Sequence, residues 1–101
     1  MKTRLIIKKL IFPCDRGHGW LEVPREDIDA LGLADEISNL SYWLSHTHKR
    51  AGMVYLEEDC DATLYLDAAK AAGWTIQIVE KYTDTDSPIR NMKRYTTEGQ
   101  S

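Results

Sequence analysis

Asp59-Cys-Asp-Ala-Thr-Leu-Tyr-Leu-Asp-Ala-Ala-Lys-Ala-Ala-Gly-Trp-Thr-Ile-Gln-Ile-Val-Glu-Lys-Tyr82 changes its hydropathy period part-way along, and that change decides the fold. Up to Ala72 the stretch is alanine-rich, opens on carboxylates and stops at Gly73, which predicts a helix over 59–72. Its apolar flank is Leu64, Tyr65, Ala68, Ala71 and Ala72. From Trp74 onward, Ile76 and Ile78 alternate with Thr75 and Gln77, which predicts a strand to Tyr82 with one buried face.

Working outward, residues 4–12 are rich in Leu, Ile and Phe and read as a first strand closed by Pro13. Asp15-Arg-Gly-His-Gly19 is a turn whose two glycines are expected to supply backbone angles that other residues resist. Trp20–Val23 makes a second strand. Pro24 suits the start of a short helix whose first turn carries Glu26 and Asp27, and Gly32 is placed to end it in a left-handed cap, with Leu33 and Ile37 packing beneath. Leu40–Ser45 and Met53–Leu56 flank a polar insert, His46–Gly52, and read as a hairpin with a longer loop.

The expected fold is therefore α+β: a small antiparallel or mixed sheet of about five strands with two helices, in the order β-β-α-β-β-α-β. The single domain is expected to span 1–82, with 83–101 a partly ordered C-terminal extension, because Thr83–Pro88 is turn chemistry and no core-forming pattern follows.

The chain has 101 residues and a net charge of −3, which suits one small domain and argues against direct nucleic-acid binding. A core of this size leaves a homodimer open. Two lysines interrupt the apolar run that a signal peptide would need, no stretch is long enough to span a bilayer, and Cys14 and Cys60 alone make no disulfide scaffold. A cytoplasmic setting without membrane contact is expected.

Chemistry-bearing residues fall in four places. His18 sits between two glycines beside Trp20, suited to proton transfer or recognition, or simply to a tight reversal. Glu57, Glu58, Asp59 and Asp61 form an acidic block at a strand–helix junction, where they offer charge to a partner or cap the helix. Arg90 and Arg94 make the last stretch basic, and Tyr42 is a candidate apolar anchor. His46 and His48 could share a metal ion on an extended strand, but two ligands are too few for a zinc site, so no metal is expected. Phosphate loops, dinucleotide fingerprints, nucleophile elbows and zincin helices are all missing, so no catalytic residue and no cofactor are assigned.

Gly17-His-Gly-Trp-Leu-Glu-Val-Pro24, Leu31-Gly-Leu-Ala-Asp35, Tyr55-Leu-Glu-Glu-Asp-Cys-Asp-Ala62 and Asp86-Ser-Pro-Ile-Arg90 resemble a family of short uncharacterised proteins of bacteriophages and prophages. The resemblance implies a phage-type accessory protein in a bacterial host, but no particular reaction. On this basis the expected function is stoichiometric binding to a host protein or ribonucleoprotein complex, as an anti-CRISPR-like inhibitor of bacterial defence would act. A small hydrolase or nucleotide-processing enzyme using His18 and carboxylates is the enzymatic alternative. More locally, Leu21–Leu33 resembles the strand–proline–helix half of AbrB-type swapped-hairpin proteins, which implies a DNA-binding dimer as a third reading.

Overall fold

The computed structural model describes residues 6–43, 52–85 and 87–95. Its elements in chain order are β1 (Ile6–Cys14), β2 (Trp20–Pro24), α1 (Arg25–Ala30), β3 (Tyr42–Trp43), β4 (Met53–Glu57), α2 (Asp61–Ala71), β5 (Trp74–Tyr82), a 3-10 helix (Pro88–Asn91) and β6 (Lys93–Arg94). One mixed six-stranded sheet runs β5-β1-β2-β4-β3-β6, in which only the β1–β5 pairing is parallel. This is the expected α+β architecture, with one strand more than expected.

Punctuation residues act where the sequence places them. Pro24 precedes α1, and Gly32 and Gly73 follow the two helices in the left-handed region at φ 71° and 85°. Pro13 lies inside β1 rather than after it, and the β1–β2 ladder carries only the Ile11–Glu22 pair before the isolated Cys14–Gly19 bridge. A residue without an N–H in the intervening step accounts for that gap.

Alternation along the strands sorts the side chains onto two faces. Leu10, Leu21, Val23, Val54, Leu56 and Trp43 form the main core with Ile28, Leu33 and Ile37 and with Ala62, Tyr65 and Ala69 of α2, so both helices cover one face. The buried flank of α2 differs in part from expectation: Tyr65 is fully buried, whereas Ala71 and Ala72, at its C-terminal end, are exposed. The buried face expected for β5 is only partly formed: in this outermost strand Trp74 and Ile76 are half-buried, and Ile78 and Val79 are exposed. Asp27, buried among these elements, is tied to β1 by Lys8 Nζ at 3.2 Å and to α2 by the Tyr65 hydroxyl at 3.1 Å. Burial, then Asp27, hold the Tyr65 phenol well above its ordinary pKa.

The opposite face carries a smaller core of Trp20, Tyr55 and Ile89, flanked by Tyr42, Met53 and Met92. Part of the segment expected as an extension therefore packs on the sheet. The 3-10 helix buries Ile89 and β6 pairs with β3, while Tyr95, next along the chain, joins the main core, 2% exposed, with its hydroxyl donating to the Ala34 carbonyl at 2.7 Å. Residues 86 and 96–101 lie outside the described ones.

Candidate functional site

Asp15 organises the turn that presents His18. Its Oδ1 accepts the backbone N–H of Gly17 and of His18, both at 3.0 Å, and the His18 carbonyl accepts the Asp15 N–H at 2.8 Å. Oδ2 accepts the Ser87 N–H from 72 positions away, and Arg90 forks onto both oxygens at 2.7 and 2.9 Å. That fork, reinforced by the backbone donors, holds the Asp15 carboxyl far below the usual carboxylate range. Neither Gly17 nor Gly19 has a positive φ, so the expectation that they supply unusual backbone angles is corrected. What Gly19 provides is room, since a Cβ there would meet the Phe12 ring.

The turn, β3, β4 and the C-terminal segment then converge. His18 leans on Trp20 with ring centroids 5.1 Å apart, and Trp20 meets Tyr42 edge-on at 6.3 Å. The Arg90 guanidinium lies 5.3 Å from the Trp20 ring, and that of Arg94 lies 4.6 Å from Tyr42. Arg94 also donates to the Asn39 carbonyl at 3.2 Å, and its own carbonyl accepts from the Trp43 indole at 3.0 Å, which fixes β6 in place. His18 Nε2 stands 3.0 Å from Glu57 Oε2, the distance at which an Nε2–H donates to the carboxylate.

These side chains, with Leu40, line one cleft of about 220 Å³. Two polar atoms of its lining residues, Glu57 Oε1 and Trp20 Nε1, are buried and without a hydrogen-bond partner among the described residues. Unmade hydrogen bonds on buried groups cost about 1–3 kcal/mol each, so the fold maintains this arrangement against a measurable cost. No family model, curated protein or solved structure matches the chain.

Six of the sequence candidates thus meet in the cleft: His18, Trp20, Tyr42, Glu57, Arg90 and Arg94. The acidic block, by contrast, is not one outward surface. Glu58 and Asp59 are exposed in the turn before α2, whereas Asp61 is 1% exposed and accepts the Ser38 N–H, the Ser38 hydroxyl and the Ser41 hydroxyl on a single oxygen. No side-chain cap hydrogen bond is made at Cys60, the N-cap of α2, although Asp61 lies in the first turn, where its charge complements the helix dipole. The Cys60 thiol is pushed up by Asp61 first and then by desolvation, which opposes the thiolate a nucleophile needs. His46 and His48 lie outside the described residues. Among the described residues no three His, Cys, Asp or Glu side chains group as metal ligands, and no helix is long and apolar enough to cross a membrane.

Reading the sequence alone missed Asp15, Leu40 and Ser41. An aspartate two residues before a glycine is a recognisable turn opener, so Asp15 had a local signal. Leu40 and Ser41 had none, since their importance comes from contacts made across the fold.

Proposed function

We propose that the protein binds a host macromolecule stoichiometrically through the His18–Tyr42–Arg94 cleft, rather than through the acidic block. The observation that carries this reading is the shape and chemistry of the cleft. At about 220 Å³ it is smaller than the roughly 300–1,000 Å³ of sites that enclose a small-molecule ligand. Its arginines are held against aromatic rings, and among the described residues no hydroxyl or thiol of Ser, Thr or Cys lines it. Such a site suits one protruding group of a larger partner better than a substrate. The resemblance to phage proteins supplies the setting: a host protein or ribonucleoprotein complex in the bacterial cytoplasm, inhibited as part of anti-defence.

Affinity capture from host lysate tests this. The wild-type chain is expected to retain one stoichiometric partner, Arg94→Glu to lose it, and the double change Glu58→Lys with Asp59→Lys to keep it. The reverse pattern would return the interaction to the acidic residues.

A second reading rests on the His18–Glu57 pair, which places a proton acceptor inside a cleft lined by cations, as a small hydrolase requires. His18→Asn separates the two. Full partner binding with loss of a phosphoester or amide hydrolysis activity favours the enzyme, whereas wild-type behaviour in every hydrolysis assay removes it.

A further inference from the structure

Trp20 and Glu57 are directly opposed across the β2–β4 ladder, so their side chains stand next to one another on the same face of the sheet. One contributes a buried donor and the other a buried acceptor, and neither atom has a partner among the described residues. A peptide group carries the complementary pair, a carbonyl for the indole N–H and an N–H for the carboxylate. A bare phosphate or carboxylate offers only acceptors and would face Glu57 with like charge. A lysine or arginine side chain offers only donors and would meet Arg90 and Arg94.

The two arginines are not equivalent. Arg90 is engaged by Asp15, whereas among the described residues the Arg94 guanidinium donates only to the Asn39 carbonyl, and no described carboxylate lies within ion-pair range of it. Among the described residues the positive charge of Arg94 thus meets no carboxylate, and it stands on the cleft beside Leu40, which is 50% exposed and provides an apolar wall. One such arginine matches a single carboxylate, whereas a polyanion would need a broad basic surface that a chain of net charge −3 lacks.

Resting on the reading of the cleft as the binding surface, we infer that its occupant is an acidic segment of a partner protein. A carboxylate side chain lies on Arg94, and the adjoining peptide group lies between Trp20 Nε1 and Glu57 Oε1.

The test follows the Trp20 indole N–H and the Arg94 Nε–H resonances of the full chain by NMR. The titrant is a capped Gly-Gly-Glu-Gly-Gly peptide, with its glutamine counterpart and inorganic phosphate as controls. The glutamate peptide is expected to move both resonances, with the glutamine peptide at least tenfold weaker and phosphate moving Arg94 alone. Arg94→Gln should reduce the glutamate peptide to the glutamine level while leaving the spectrum otherwise folded. The inference is overturned by a response to phosphate as strong as to the peptide, by no response to either peptide, or by tighter binding of a single-stranded RNA oligonucleotide. Loss of the captured host partner in Arg94→Glu without any peptide response removes this ligand assignment alone. A peptide response without a captured partner removes the host-binding reading instead.

Discussion

Gly19 has an ordinary backbone conformation, yet no side chain fits there. A Cβ would lie 2.7 Å from Phe12 Cζ and closer still to Cε1, whereas one at Gly17 would come no nearer than 3.1 Å, to the Arg90 guanidinium. Gly19→Ala is therefore expected to cost about 1–3 kcal/mol by overpacking, and Gly17→Ala markedly less, as read from urea unfolding. Equal costs would place the constraint in the backbone instead. Asp15 gives a second expectation. A carboxyl whose pKa is lowered by folding stabilises at every pH above its unfolded value near 4, and that contribution fades as pH falls through the lower folded value. Asp15→Asn should thus be less stable than wild type at pH 7, with the gap narrowing below about pH 4. A gap that is constant from pH 7 to pH 2 would show that the Arg90 fork is not its source.

Among the elements, α2 is tied to the sheet by a carboxylate as well as by packing. Asp61 gathers the hydroxyls of Ser38 and Ser41, and Ser41 Oγ in turn accepts the Glu57 N–H at 2.9 Å, next to the cleft. Asp61→Ala should cost about 2–4 kcal/mol in urea unfolding, because it strands buried hydroxyls, and Asp61→Asn should cost less because an acceptor remains. Equal losses would mean that charge, rather than hydrogen bonding, holds the loop. The helices and β5 were legible in the sequence because Pro24, Gly32 and Gly73 mark their ends locally. The 3-10 helix and β6 were not: Ile89, Met92 and Tyr95 are too few and too irregularly spaced to show a period, and what orders them is Asp15, Ser41 and Ala34, all distant in sequence. The same division holds for the cleft. His18 and Trp20 were singled out by the glycines beside them, whereas Glu57 was chosen as part of a charged block, from which its burial beside His18 sets it apart.

Across the whole molecule, the two faces of the sheet are unequal, and the cleft depends on the weaker one. The helix-covered face carries most of the buried apolar side chains, while the other relies on Trp20, Tyr55 and a short C-terminal segment that contributes both arginines. Short segments with few buried contacts open at a free energy below that of global unfolding. Native-state hydrogen exchange should therefore show the amides of Arg90 and Met92, bonded to the Ser87 and Ile89 carbonyls, opening more readily than those of Leu21 and Leu56 in the central strands. A bound partner, holding Arg94 from outside, should slow exchange in the C-terminal segment and leave the central strands nearly unchanged. If all four amides instead exchange through one common opening, the two faces form a single cooperative unit and the cleft is as rigid as the core beneath it.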